Sequence, residues 1–246
     1  MPALYYKIII AAAFFAYLSS LAAFRQEWKS GVRFLSCLGL VLTLFAALAG
    51  WVENVRLPVY GLYETSLHMA LVLGLCLESS AHMPALAGPW FPGRIIAAAL
   101  LVLAWTAAGK FGFDFYIYQS LTVQLFFFLR VAAAGVALFA FLLFATAWAN
   151  TFLKKTKNDS IVIRQALNTL VVASILFLSS ELSGTLWCMR GYGDIWHWSA
   201  NFFKSAALFL LLMLPLHVPG RLKRNMANPW VGMICTLLMV LAVAVP

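Results

Sequence analysis

Long runs of apolar residues, separated by short polar segments, organise the whole chain. An apolar run of roughly 17–25 residues is long enough to cross a bilayer as a helix, and such runs recur from one end of the sequence to the other. We identify eight of them, at residues 4–24, 35–52, 65–83, 94–109, 120–149, 160–181, 200–217 and 229–246. The pattern predicts an all-α polytopic membrane protein with about eight transmembrane helices.

Two places in this pattern leave room for another interpretation. Residues 4–24 have the length of a signal peptide, but they lack a basic leading region and a small-residue cleavage site before Arg25, so we expect a retained helix. The junction of the third and fourth runs is rich in Pro and Gly, so the helix boundaries there are the least defined.

Composition supports the same class of protein. Hydrophobic residues make up 64% of the 246 residues and charged residues 10%, and the mean hydropathy is +0.92. Soluble domains are about half apolar and about a quarter charged, so the composition excludes a soluble globular domain. No internal repeat or low-complexity linker is visible, and residues 1–246 therefore predict a single transmembrane domain.

The formal net charge of +9 follows the predicted topology. Basic residues cluster after helix one, before helix four and in the connections five to six and seven to eight: Arg25, Lys29, Arg33, Arg94, Lys154, Lys155, Lys157, Arg164, Arg221, Lys223 and Arg224. The opposite side has only Lys7, Arg56, Lys110 and Arg190. Because cytoplasmic loops carry the excess of Lys and Arg, both termini and the connection between helices six and seven are expected outside the cytoplasm. The basic excess therefore indicates orientation in a lipid bilayer and no nucleic-acid partner.

Several common chemistries have no matching motif. The four cysteines are scattered without a C-x-x-C pair, so neither a thiol–disulfide relay nor a covalent haem attachment site within the chain is expected. No phosphate-binding glycine loop, zinc-binding H-E-x-x-H or nucleophile elbow is present. Whether the protein is an enzyme stays open at this point.

An aromatic segment between the sixth and seventh helices is the most distinctive feature of the chain. Its aromatic and glycine residues are Trp187, Gly191, Tyr192, Gly193, Trp196 and Trp198, with His197 between the last two tryptophans. Flat rings and close backbone approach suit a flat macrocycle such as haem, and His197 could reach a haem propionate. The alternative is that these rings anchor the chain at the membrane interface, where Trp and Tyr are enriched, and that His197 packs between them.

Histidine is the commonest axial ligand of haem, and His217 ends the apolar run 200–217. From residue type alone it is either a haem ligand or an interfacial side chain at a helix end. His68, near the outer end of the third helix, leaves the same two alternatives. His82 lies in a Pro-rich connection and predicts no specific role.

Charged side chains within spans are costly and usually functional. Arg130 is expected either to pair with a carboxylate, a haem propionate or an acidic partner, or to extend to the outer interface. The carboxylates near helix ends are Glu64, Glu78 and Glu181. A pair of Glu181 with Lys204 is one possibility among these groups.

Residues 192–199 read Tyr-Gly-Asp-Ile-Trp-His-Trp-Ser. They resemble the external loop motif W-G-x-x-W-x-W-D of the haem-handling cytochrome c assembly proteins, the CcsA/ResC and CcmC/CcmF group. Trp187 resembles an upstream tryptophan of the CcsA pattern, and His217 stands eighteen positions after Ser199, like the histidine of that branch. The resemblance is strong over 184–217, and faint over 58–70 and 114–145.

This resemblance implies haem delivery in the biogenesis of c-type cytochromes. It implies a transiently bound b-type haem with His217 as the ligand within the bundle and Trp187, Tyr192, Trp196, His197 and Trp198 in an outer platform. It also implies a CcsB/ResB-like membrane partner, an apocytochrome c that receives the haem, and a bacterial cytoplasmic (inner) membrane with the tryptophan-rich loop on its external, periplasmic side.

The sequence departs from the family pattern at three positions. Tyr192 replaces the first motif tryptophan, Ser199 replaces the motif aspartate, and Arg130 stands where the family places an external histidine. Arg130 would then hold a propionate and not iron. Two alternatives therefore stay open, a membrane scaffold that kept the fold without the chemistry, and a haem- or quinone-bearing anchor subunit of a respiratory complex.

Overall fold

The computed structural model describes residues 2–25, 29–54, 61–83, 88–108, 120–153, 159–193, 200–218 and 227–244. Within these ranges lie eight α-helices: α1 (Pro2–Arg25), α2 (Lys29–Asn54), α3 (Leu62–Ser80), α4 (Trp90–Thr106), α5 (Leu121–Phe152), α6 (Asp159–Tyr192), α7 (Ala200–Met213) and α8 (Ala227–Ala244). A short 3₁₀ helix, Leu214–His217, follows α7. Each predicted apolar run coincides with one α-helix, so the prediction of an all-helical protein is confirmed for the described residues.

Length and surface chemistry identify a membrane protein. Among the described residues, four helices are long and apolar enough to cross a membrane, over Leu4–Phe24, Ser30–Glu53, Leu121–Phe152 and Ser160–Gly191. Large apolar side chains such as Phe34, Val41 and Phe45 are exposed on these helices. Apolar faces of this kind are stable when lipid covers them. The chain is therefore a multi-pass helical membrane protein.

The chain divides into two compact units, Met1–Phe113 and Asp114–Pro246. In unit 1, α1 packs against α2 and α4, and α3 packs against the same two helices. Helix α3 is largely buried and carries polar side chains inside the unit, among them Glu64 and His68. This polar content lowers the hydropathy of α3.

Unit 2 has the same pattern of neighbours. Helix α5 packs against α6 and α8, and α7 packs against the same two helices. Residues 133–140 of α5 are buried without interruption, and five of these eight are Ala or Gly. Small side chains let membrane helices approach closely and gain van der Waals contact. The expectation of a single domain stays a prediction.

Helix α6 continues well beyond its predicted end at residue 181. The sequence pattern breaks there because Ser and Thr interrupt the apolar run. In the structure these hydroxyls bond back to the helix: Ser179 donates to the Ile175 carbonyl at 2.9 Å, and Ser183 donates to the Ser179 carbonyl at 3.1 Å. Because the polar groups are satisfied within the helix, they do not end it.

The aromatic segment therefore begins inside a helix. Trp187, Gly191 and Tyr192 were predicted in the loop, and this is wrong for all three, since they belong to the last turns of α6. The helix ends at Gly193, which has φ +70° and donates its N–H to the Met189 carbonyl at 3.1 Å. This is the left-handed glycine cap that commonly closes a helix.

Arg94 also lies elsewhere than expected. It was predicted to precede helix four, but α4 begins at Trp90 and Arg94 is buried in its early turns. Pro92 and Gly93 lie in the first turn, where a helix does not need the missing Pro N–H. The predicted loop charge is therefore part of the interior of unit 1.

The fully buried ring of Phe144 on α5 packs directly against Gly232 on α8. A Cβ at Gly232 would lie 2.6 Å from two ring atoms. We expect Gly232→Ala to lower the free energy of unfolding by about 1–3 kcal/mol through overpacking. Thermal unfolding in detergent, followed by circular dichroism, measures this. The matched control is Gly191→Ala, where the nearest atom is 4.0 Å away. Equal melting temperatures for the two variants would contradict the expectation.

Candidate functional site

His217 lies at the end of the 3₁₀ helix that follows α7, and its side chain is exposed. Its Nδ1 atom is 2.9 Å from the Met213 carbonyl oxygen. A carbonyl only accepts, so Nδ1 carries the hydrogen, and in the neutral ring Nε2 holds the free lone pair. A metal-ligating histidine usually has this arrangement, with its second ring nitrogen bonded to a backbone carbonyl or carboxylate.

The local sequence explains this position. Pro215 lacks an N–H and cannot continue the α-helical ladder, so the chain tightens into a 3₁₀ turn. Pro215 is buried, whereas His217, two residues later, is exposed. The imidazole of His217 is therefore presented at the surface of unit 2, at the end of α7.

His68 is placed differently, deep in α3 of unit 1. Its Nε2 accepts a hydrogen bond from the indole N–H of Trp51 at 2.9 Å, and its Nδ1 is 2.8 Å from the Glu64 carbonyl. The two ring planes are nearly parallel, with centroids 5.7 Å apart. Indole only donates, so Nε2 is an acceptor and is already engaged. His68 is thus a buried, hydrogen-bonded histidine.

Arg130 joins three helices of unit 2. Its Nη2 donates to Glu181 Oε1 on α6 and to Ser205 Oγ on α7. The Arg130 side chain is 11% exposed and that of Glu181 is 27% exposed. Of the alternatives open from sequence, the structure gives Arg130 an internal carboxylate, and Glu181 pairs with it. A role of Arg130 towards a haem propionate stays a prediction.

Aromatic rings enclose this ion pair. The Arg130 guanidinium carbon lies 4.3 Å from the Phe126 ring centroid and 5.5 Å from that of Phe177. Phe126 in turn sits against Gly184, where a Cβ would lie 2.7 Å from the ring. The rings shield the Arg130 side of the pair from water, which strengthens the cation–π contacts, whereas Glu181 stays partly exposed.

The remaining predicted platform residues lie near the end of α6. Trp187 is half-buried, and its indole nitrogen lies over Gly191, one turn later. Tyr192 is the last residue of the helix. Trp196, His197 and Trp198 lie outside the described residues, so the aromatic platform as a whole stays a prediction.

Unit 1 contains a second ion-pair cluster that the sequence did not reveal. Ser36 on α2 donates to Glu78 Oε1 on α3, and Arg94 Nε on α4 donates to Ser36 Oγ at 3.1 Å. Arg94 Nη2 lies 3.6 Å from Glu78 Oε1, and the Cys37 thiol lies 3.8 Å from Glu78 Oε2. The sequence offered one indication of this pair: the acidic Glu78 lies near the end of one apolar run, and the basic Arg94 lies at the start of the next.

Protein ligands for a metal are sparse in the part of the chain that the structure describes. No group of three or more His, Cys, Asp or Glu side chains there could hold a metal ion. A cofactor iron would instead take a single axial imidazole, and His217 has the required free nitrogen. No model of a known protein family matches this chain, and no curated protein matches it.

Proposed function

We propose that this protein handles haem in the biogenesis of c-type cytochromes, as a membrane subunit that resembles CcsA. The observation that carries the proposal is the geometry of His217. Its Nδ1 hydrogen is held by the Met213 carbonyl, and its Nε2, on an exposed ring, has no partner among the described residues. A neutral imidazole oriented in this way is suited to bind iron from outside unit 2.

The residues have distinct roles in this proposal. When bound, haem supplies an iron centre with axial positions and two carboxylate-bearing propionates. In this proposal His217 would bind the iron at the cytoplasmic end of α7. At the opposite, outer end, Trp187, Tyr192, Trp196 and Trp198 would form a separate platform that presents aromatic faces to the macrocycle, with His197 or Arg130 available to a propionate there. A CcsB/ResB-like partner would contribute the second axial ligand, and apocytochrome c would receive the b-type haem, which binds only transiently.

The proposed topology has eight spans in a bacterial cytoplasmic membrane, with both termini and the tryptophan-rich segment outside. The basic residues around the connections one to two, five to six and seven to eight support this orientation. Arg94 no longer contributes, because it is buried in unit 1. The remaining clusters still lie on one side under the eight-span arrangement.

The test is the absorption spectrum of the full-length protein, purified in detergent from haem-replete cells with a CcsB-like partner co-expressed. We expect a Soret band in the wild type and loss of most of it in His217→Ala, since the iron loses its axial imidazole. The matched control is His82→Ala, because His82 is also exposed but lies in the turn after α3. It should keep the band.

A wild-type protein without a Soret band would refute the proposal. Equal bands in His217→Ala and the wild type would refute the ligand assignment. The first of these results would favour a second candidate function, a non-catalytic membrane scaffold. One observation supports that candidate: Arg130, at the position of the family's external histidine, is engaged in an internal ion pair with Glu181. The third alternative, a respiratory anchor with paired histidines, gains no support from His68, because Trp51 engages its Nε2.

A further inference from the structure

Arg130 has hydrogen-bonding capacity that the described residues of unit 2 do not use. A guanidinium carries five N–H donors, but the bonds to Glu181 and Ser205 both come from Nη2. The Nε atom is buried and has no acceptor among the described residues. A largely buried cation with unused donors is costly, so a further acceptor that reached this edge of Arg130, in place of Glu181, would stabilise it.

The surroundings determine how such an acceptor would approach. Phe126 and Phe177 lie against the guanidinium at 4.3 Å and 5.5 Å, so its edge is the part left for hydrogen bonds. Guanidinium groups bind carboxylates through two parallel N–H bonds along that edge. Glu181 uses only one oxygen and one nitrogen. Glu181 is more exposed than Arg130 and is held by one N–H bond only. A carboxylate that formed two bonds to Arg130 would therefore displace it.

The depth of Arg130 in the membrane points to an amphiphilic ligand. Helix α5 has 32 residues and is therefore about 48 Å long, which exceeds the hydrocarbon core of about 30 Å by some 9 Å at each end. Arg130 lies about 14 Å along the helix from Leu121. With α5 centred on the bilayer and perpendicular to it, the backbone of Arg130 lies a few ångströms inside the hydrocarbon boundary, close to the level of lipid headgroups.

We propose that Arg130 binds the carboxylate of an amphiphilic ligand at the membrane boundary, and that Glu181 is an internal carboxylate with which this ligand competes. Two carboxylates on one cation would leave a net negative charge in a poorly solvated site, so the two exclude each other. The Ser205 hydroxyl accepts from Arg130 Nη2 and can donate its own hydrogen to either carboxylate. The inference rests on the proposed function only where the ligand is a haem propionate. A fatty acid offers the same carboxylate chemistry without it.

The experiment measures binding of protoporphyrin IX to the purified full-length protein in detergent, by porphyrin fluorescence. This probe has both propionates but no iron, so its signal does not depend on ligation by His217. Glu181→Gln should tighten binding by on the order of tenfold, because the competing charge is gone. Arg130→Lys should weaken it, because an ammonium cannot form two parallel bonds. Arg164→Gln, an exposed arginine on the same helix as Glu181, should leave it unchanged.

The dimethyl ester of protoporphyrin IX should bind more weakly than the free acid, because it lacks the carboxylates. Oleate then separates the two sources: displacement of the porphyrin by oleate assigns the site to fatty acids, and no displacement assigns it to the propionate. Both results support a carboxylate site. Equal binding of ester and acid, or binding that Glu181→Gln leaves unchanged or weakens, would overturn the inference.

Should Glu181→Gln not yield folded protein, the comparison of acid and ester in the wild type and in Arg130→Lys decides the matter by itself. The two proposals also fail separately. Haem ligation fails when His217→Ala keeps the Soret band, whereas the carboxylate site fails when iron-free porphyrin does not distinguish acid from ester.

Discussion

Replacing Arg94 by Met will lower the free energy of unfolding by about 3–5 kcal/mol, which is the usual cost of removing one partner from a buried ion pair. Arg94 is 2% exposed and Glu78 15% exposed, so water cannot solvate the carboxylate that is left behind. Ser36 also loses the Arg94 donor while it still donates to Glu78. Thermal unfolding in detergent by circular dichroism measures the loss, and hydrogen exchange shows whether α2, α3 and α4 open together.

Two comparisons show whether the effect comes from the ion pair. Arg33→Met changes an exposed arginine on α2 and should alter stability by no more than about 0.5 kcal/mol. The double variant Arg94→Met/Glu78→Leu should recover most of the loss, because an apolar pair can replace a buried ion pair at little cost. The Arg94 guanidinium carbon also lies 5.4 Å from the Trp90 ring centroid. A double variant as unstable as Arg94→Met would show that Arg94 acts through such packing and not through Glu78.

Arg130→Met is expected to destabilise unit 2 by about 2–3 kcal/mol, between the values for a fully buried pair and an exposed one. The smaller effect follows from Glu181, which is 27% exposed and partly reached by solvent. Ser205 loses its donor as well, so α7 should be the helix that loosens most. Hydrogen exchange of residues 200–213, together with thermal unfolding, measures this.

Arg164→Met is the matched control for unit 2 because it removes an exposed arginine from α6. Its stability should stay within about 0.5 kcal/mol of the wild type. Unchanged exchange rates in α7 of Arg130→Met would contradict the view that Arg130 holds α7 against α5 and α6. An effect of Arg130→Met on porphyrin binding would combine this loosening with the loss of the charge. It must therefore be compared with the effect of Arg130→Lys, which retains the charge.

The helices were predictable from sequence where an apolar run alone defines them, as in α1, α2 and α5. The prediction failed at the end of α6 because hydropathy counts a serine as polar wherever it stands. Ser179 and Ser183 satisfy their hydroxyls on the preceding turn, so the helix tolerates them. It failed at Arg94 for a related reason, since a basic residue after Pro92 and Gly93 indicates a loop only when it has no buried partner.

The candidate site was predictable in its residue types but not in its contacts. His217 stood out by its position after an apolar run, but the direction of its hydrogen bond depends on the 3₁₀ turn at Pro215. Arg130 stood out as a charge within a span, and its sequence allowed several partners. His68 was equally plausible as a ligand until the structure placed the Trp51 indole on its Nε2.

The sequence by itself determined that this is a helical membrane protein and where most of its helices lie. The physical reason is that an apolar medium cannot hydrogen-bond the backbone, so a long apolar run must satisfy itself as a helix. Tertiary structure alone decided which polar groups meet. Arg130 and its partners are 51 and 75 residues apart, and Arg94 and Ser36 are 58 apart. Helix packing selects such pairs, because each buried charge must find its counter-ion on whichever helix lies beside it.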